Sequence, residues 1–311
     1  MDEHNQTWSS DFILMGLTMN PSLAPILFLL FFLVYIFTLF GNSGIFALIQ
    51  VDPGLSSPMY HLLGNLALVD LGYSTAVGPK MLENLLSTSK TISFIGCAVQ
   101  MFFFVSLAAS ECLLLSVMAY DRYVAICNPL LYPLIMSKQA CTQLLAAVYL
   151  GGVLNGTVHT GCTFRLTFCR SRVIGHFLCD IPPLLALSCS ETFLNELVIF
   201  AMGILTSIVP LLIIVTSYVF IVSAILKIRS TESRLRTFST CTSHLACVTL
   251  YYGTIFFMYF RPSTSYSLEQ DKVASIVYTV LIPLLNPLIY SLRNRDVKEA
   301  LVRTMKKWVG S

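Results

Sequence analysis

Two carboxylic acids, Asp70 and Glu111, stand inside long apolar runs. Ionisable groups in such settings are costly and mark functional sites by default. On neighbouring helices the two carboxyls could share a proton, a cation or water. They could equally settle as a buried hydrogen-bonded cluster with one of them protonated, and the two readings are compatible. As an enzymatic acid–base pair they lack company, because no nucleophile, metal cluster or phosphate-binding loop accompanies them. A second constellation, His176-x-x-Cys179-Asp180, has metal-ligand residue types. A disulfide at Cys179 would remove its thiolate, so no metal and no cofactor is expected.

The elements that position these groups follow from composition. Of 311 residues, 56% are hydrophobic and 11% charged, against about 25% charged in a soluble domain. Lipid is the natural solvent for the excess apolar surface. A net charge of +3, with no basic tract interleaved with aromatics, gives no nucleic-acid surface. Seven runs are long enough to cross a bilayer: about 23–50, 58–82, 95–120, 141–162, 197–226, 238–260 and 273–292. The expectation is an all-α, seven-helix membrane bundle forming one domain over 1–311. Within the N-terminal segment 1–22, Met1 to Asp11 are polar and slightly acidic, unlike the basic start of a cleavable signal, so the first run is expected to act as an uncleaved anchor.

Basic residues orient the bundle. The loops after the first, third and fifth runs, together with the tail 293–311, carry 12 of the 19 Lys and Arg. By the positive-inside rule the tail is cytoplasmic and the N-terminus extracellular. Asn5-Gln6-Thr7 is then a glycosylation sequon on the outer side. Asn155-Gly156-Thr157 has the same pattern inside the fourth run and is expected to be unmodified.

Cys97, Cys169, Cys179 and Cys189 fall outside the membrane and suggest two disulfides, with three possible pairings. The others, Cys112, Cys127, Cys141, Cys162, Cys241 and Cys247, read as small buried hydrophobes. Pro210 in the fifth run and Pro283 and Pro287 in the seventh interrupt helical hydrogen bonding and introduce kinks, with Asn286 placed to bond the freed carbonyls. Beyond residue 292, Val297, Ala300, Leu301, Thr304, Met305 and Trp308 share one helical face. Arg295, Lys298, Arg303, Lys306 and Lys307 surround it, which describes a short amphipathic helix lying on the bilayer and drawn to anionic lipid.

Several motifs then occur in one order. They are Gly41-Asn42; Pro58-Met59-Tyr60; Met118-Ala119-Tyr120-Asp121-Arg122-Tyr123-Val124-Ala125-Ile126-Cys127; Ser217-Tyr218; Phe238-Ser239-Thr240-Cys241-Thr242-Ser243-His244-Leu245; and Pro283-Leu284-Leu285-Asn286-Pro287-Leu288-Ile289-Tyr290. Over nearly the whole chain this pattern resembles the odorant receptors of the rhodopsin-like, G-protein-coupled class. Two departures are small: Arg236-Thr237 stands where the family often has Lys-Ala, and Tyr251-Tyr252-Gly253 where Phe-Tyr-Gly is common.

The resemblance implies that Cys97 pairs with Cys179 and Cys169 with Cys189. It implies a ligand pocket lined by Phe104, Val105, Ala108, Ala109, Met202, Gly203, Thr206, Tyr252, Ile255, Tyr259 and Thr279. That lining suits a small, mostly hydrophobic, volatile odorant. Phe104 stands where amine receptors of the wider class carry an Asp, which argues against cationic ligands. On the cytoplasmic side the resemblance implies that Arg122 pairs with Asp121 at rest. Asp121, Arg122, Tyr123, Tyr218, Asn286, Pro287 and Tyr290 would then form the switch that admits a stimulatory olfactory G protein and raises cyclic AMP. It also implies residence in the plasma membrane of sensory-neuron cilia. A non-olfactory chemoreceptor of the same fold is the main alternative. A transporter fits less well, since no internal repeat is visible.

Overall fold

A computed structural model of the chain describes residues 11–18, 20–169, 171–228, 230–259 and 268–309. Asn5 lies outside them. Long helices dominate because backbone in lipid must satisfy its hydrogen bonds within its own segment. Helix α1 spans Ala24–Val51, α2 Pro58–Leu86, α3 Phe94–Cys127 and α4 Lys138–Phe164. Helix α5 covers Phe193–Lys227 and α6 Thr231–Tyr259. Helix α7 runs over 268–293, and α8 over Arg295–Val309.

Serines begin two of these helices: Ser93 accepts from the Gly96 amide at 3.0 Å, and Ser137 from the Ala140 amide at 3.3 Å. Among the described residues, five helices are long and apolar enough to cross a membrane by length and composition: α1, α3, α4, α5 and Gln270–Tyr290 within α7. Helices α2 and α6 fall short of that test because they carry polar groups, Asp70 and His244 among them, that are buried against their neighbours. Helix α3, with 34 residues, is roughly 50 Å long, well beyond the ~30 Å hydrocarbon core. It continues to Cys127, seven residues past the expected end at Tyr120.

Lipid-facing and core-facing residues separate sharply. Ile26, Phe37 and Phe40 of α1 are exposed, whereas α3 buries Met101, Phe104, Leu114, Leu115 and Met118. Helices α3 and α4 approach most closely at Gly152 and Gly156. A Cβ at Gly152 would overlap Ser110 Oγ, and one at Gly156 would overlap Ser106 Oγ and lie 2.8 Å from the Phe102 carbonyl. This is the small-x-x-x-small device that lets membrane helices pack backbone to backbone.

The prolines shape α5 and α7. Pro210 and Pro283 each follow a π-helical turn, Ile204–Ile208 and Val277–Leu281. The turns contain Thr206 and Thr279, whose carbonyls the proline rings would otherwise crowd. Each threonine hydroxyl donates one turn back, to Met202 O at 2.8 Å and Ser275 O at 2.6 Å. At Pro287 the freed carbonyl belongs to Pro283. Asn42 of α1, rather than the expected Asn286, donates to it at 2.9 Å. A Cβ on Gly41 would meet the Pro287 ring at 3.2 Å, so the Gly41-Asn42 pair both admits the ring and supplies the missing donor.

A small sheet caps the end of the bundle where α1 begins. The strand Phe12–Leu14 (β1) lies between Thr91–Ile92 (β2), antiparallel, and Val173–Ile174 (β3), parallel. Lys90 Nζ donates to Thr18 O at 3.2 Å and so secures the segment leading into α1.

Candidate functional site

Beneath the sheet the loop between α4 and α5 folds inward as a lid. Cys97 is bonded to Cys179 (Cα–Cα 5.6 Å) and Cys169 to Cys189 (Cα–Cα 5.8 Å). Phe177, Leu178 and Cys179 are fully buried. Gln100 of α3 accepts from the Cys179 amide at 3.0 Å and donates to Ala76 O at 3.1 Å, which joins lid, α3 and α2. His176 Nε2 lies 3.1 Å from Ser275 Oγ of α7, and the Cys179 sulfur is in the bond to Cys97. Among the described residues no cluster of three or more His, Cys, Asp and Glu could hold a metal. Burial, with the Lys272 charge behind it, lowers the His176 pKa from 6.5 to about 4.

Under the lid lies a cavity of about 400 Å³. Phe104, Val105, Ala108, Ala109, Gly203, Thr206 and Ile255, all expected from the resemblance, line it. Met202, Tyr252 and Thr279 stand outside its lining. On α6 the facing residue is Tyr251, fixed by a 2.7 Å bond to Ala108 O, while its neighbour Tyr252 is buried beside it. On α7 the π-helical turn presents Tyr278 in place of Thr279, whose hydroxyl is turned into its own helix. On α5 the turn at Ile204–Ile208 brings Ser207 and Ile208 to the cavity as well. The side chain of Tyr259 lies outside the described residues. Sequence reasoning missed Tyr73, Cys112, Asn155, His159, Ile181 and Glu196, which also line the cavity. The only sequence signal for the α4 pair was two polar residues, one turn apart, in an uncharged span.

The aromatic floor stacks Tyr73 on Phe104 at 5.3 Å, with Tyr278 beyond at 5.8 Å. One layer deeper, Asn286 Nδ2 donates to both Asp70 oxygens, at 3.2 and 3.0 Å. Glu111 is buried beside this pair, and its Oε2 has no hydrogen-bond partner.

At the end of the bundle away from the sheet, His244 Nε2 lies 3.1 Å from the Leu115 carbonyl, which requires a proton on Nε2. Its Nδ1 then accepts from Tyr218 at 2.8 Å. The carboxylate of Asp121 is held by Tyr132 of the following loop, at 2.8 Å. Arg122 is buried beside Tyr218 and Cys241, and its charge also acts on Asp121, the partner expected at rest. Tyr132 sits where it can outcompete a neighbour on the same helix, since adjacent residues do not face each other. Tyr123 packs on Phe220 of α5 with ring centroids 5.7 Å apart, and Tyr290 is buried against Cys247. At the junction with α8, Tyr60 donates to Asp296 at 2.8 Å, and Arg303 makes a two-point pair with Asp52 at 3.2 and 3.1 Å. Val297 and Ala300 of α8 are buried; Leu301 and Met305 are exposed.

Comparison with known proteins agrees with this arrangement. The sequence profile described as "Olfactory receptor" matches residues 31–307. The chain is 54% identical to olfactory receptor 5AP2 of Mus musculus over 305 residues, covering 98% of this chain and 96% of that one. It is 50% identical to olfactory receptor 5AR1 of Homo sapiens, covering 99% of each. The crystal structure of squid rhodopsin superposes with a TM-score of 0.69 at 19% identity, covering 94% of this chain and 87% of that one. That likeness concerns the fold: seven helices with a further helix at the C-terminal end.

Proposed function

This chain belongs to the olfactory receptor family, a group of multi-pass rhodopsin-like receptors that are not enzymes, and on that footing we propose what it binds and how it signals. The ligand is a small, mostly hydrophobic, volatile molecule held in the cavity under the lid. The observation that carries this reading is the cavity itself: about 400 Å³, largely apolar in lining, and roofed by the buried loop around Cys179. Its size falls near the low end of the roughly 300–1,000 Å³ of ligand pockets. Among the described residues no Lys or Arg lines it, so a carboxylate ligand would find no counter-charge from them.

The N-terminus lies outside and the tail inside, following the basic residues. Ligand binds the active arrangement more tightly and shifts a two-state equilibrium. In that shift α6 moves away from α3, and the bonds that Tyr218 and His244 make break or re-form. Arg122 then meets a stimulatory G protein, and cyclic AMP rises. Asp121, Tyr123, Asn286, Pro287 and Tyr290 serve the same switch. The cell surface in view is that of the sensory cilium, and Asn5 is its glycan acceptor.

The test is a cyclic-AMP assay in cells expressing the chain with the stimulatory olfactory G protein, against a broad odorant panel. A dose-dependent rise that disappears in Arg122→Ala at equal surface level supports the reading. Surface expression without any response in the panel counts against it and favours a non-olfactory chemoreceptor.

A further inference from the structure

Helix α4 contributes two polar side chains to the cavity, Asn155 and His159. They lie four residues apart, hence on one face. The close approach of Gly152 and Gly156 to α3 presses that face inward. Both side chains are more than nine-tenths buried. Asn155 Oδ1 has no hydrogen-bond partner, and none is formed by His159 among the described residues. Most other polar groups of the lining are already engaged, and Ser207 sits against the Cys112 thiol. Thr206 and Tyr251 donate to backbone carbonyls, Tyr278 to Asp180 and Ser275, and Glu196 accepts from Thr192 at the exposed mouth.

Buried polar groups ordinarily find partners. An amide oxygen without a partner beside an imidazole without one, both on the wall of a largely apolar cavity, is a place kept for a partner that arrives with the ligand. We propose that Asn155 and His159 form the hydrogen-bonding end of the pocket and select a neutral ligand bearing a hydroxyl group. The chemistry favours a hydroxyl over other functions. The amide offers an acceptor and donors, and a neutral imidazole offers one of each. A hydroxyl donates and accepts at once, so it can satisfy an acceptor on one residue and a donor on the other. An ether, ester or ketone only accepts and leaves an acceptor unpaired. A hydrocarbon leaves both residues unpaired. A charged amine or carboxylate would be stripped of water with no opposite charge at this end of the cavity. Sites that hydrogen-bond a hydroxyl reject analogues lacking it far more strongly than apolar pockets reject a changed methylene.

This inference rests on the odorant-binding reading of the same cavity, and the experiment separates the two. The purified full-length receptor is titrated in a thermal-shift assay with matched probes: 1-octanol, 1-methoxyoctane and nonane; and 2-phenylethanol, its methyl ether and propylbenzene. For at least one skeleton the alcohol is expected to bind ten-fold or more tightly than its ether, about 1.4 kcal/mol. In Asn155→Leu and in His159→Phe that ratio falls toward one, while affinity for the ether changes little. Absence of stabilisation by either alcohol, equal affinity of alcohol and ether, or a uniform loss across all probes in the variants overturns the proposal. If the variants do not fold, Asn155→Ser and His159→Gln replace them, and the wild-type ratio already decides. Selective binding of an alcohol without a cyclic-AMP response would leave this polar end standing and refute the signalling reading. A cyclic-AMP response equally strong to alcohol, ether and hydrocarbon would do the reverse.

Discussion

Alanine at Gly156 would place a methyl group on Ser106 Oγ, 3.1 Å from Ser106 Cβ and 2.8 Å from the Phe102 carbonyl. The serine hydroxyl can rotate away, but the carbonyl belongs to α3 backbone and cannot. Helices α3 and α4 must separate by several tenths of an ångström. Overpacking of this kind costs about 1–3 kcal/mol, which lowers the melting temperature of a chain this size by several degrees. Gly161, on the same helix, has nothing within 4 Å of an added Cβ. There alanine restricts the unfolded chain and improves helix propensity, so it is neutral or stabilising by up to about 1 kcal/mol. The assay is thermal unfolding of both variants purified under identical conditions, with Gly156→Ala/Ser106→Ala as a third sample. The double variant should recover part of the loss, because it removes the Oγ clash and leaves the carbonyl one. Equal stability of Gly156→Ala and Gly161→Ala would refute the claim that α3 and α4 meet through glycine.

Other expectations concern the lid and α6. His176 has its pKa held at about 4 against 6.5 unfolded, so protonation favours the unfolded chain. Its contribution is constant above pH 6.5 and is lost as pH falls from 6.5 toward 4, on the order of 3 kcal/mol in all; melting temperatures at pH 7.5 and 5 should therefore differ more in wild type than in His176→Gln. Cys97→Ser or Cys179→Ser removes a bridge spanning 82 residues, worth about 2–5 kcal/mol in small domains, and surface labelling should show the receptor retained inside the cell. Tyr251→Phe deletes the 2.7 Å bond to Ala108 O and should cost about 1 kcal/mol, read by thermal unfolding.

Much of this architecture is legible in the sequence, for a physical reason. A span needs some twenty apolar residues in a row, so seven helices announce themselves without knowledge of their contacts. The cysteines of the lid and the Asp121-Arg122 motif are legible as types and positions. What pairs with them is set by packing between distant segments. Tyr132 on Asp121 and Asn42 on the Pro283 carbonyl join residues whose proximity no local period encodes. Helix rotation is equally hidden: α6 turns Tyr251 to the cavity where Tyr252 was expected, a displacement of one residue that hydropathy in an apolar run does not resolve. The π-helical turns at Ile204–Ile208 and Val277–Leu281 leave no mark beyond the proline that follows. Strand β1 has three residues and depends on two loops to pair with. Asn155 reads as a sequon in the wrong place until the cavity beside it is seen.

The central claim is that a ligand in the cavity under the lid drives signalling. Gly203 lines that cavity, and an added Cβ there meets nothing within 4 Å. Gly253 has equal room but borders a separate lateral cleft between α6 and α7. The deciding measurement is the cyclic-AMP dose–response of Gly203→Leu and Gly253→Leu to an odorant that activates the wild type, at matched surface level. The leucine at 203 should fill the ligand space and shift the response at least ten-fold to higher concentration, with the leucine at 253 close to wild type. An unchanged response in Gly203→Leu would place the ligand elsewhere.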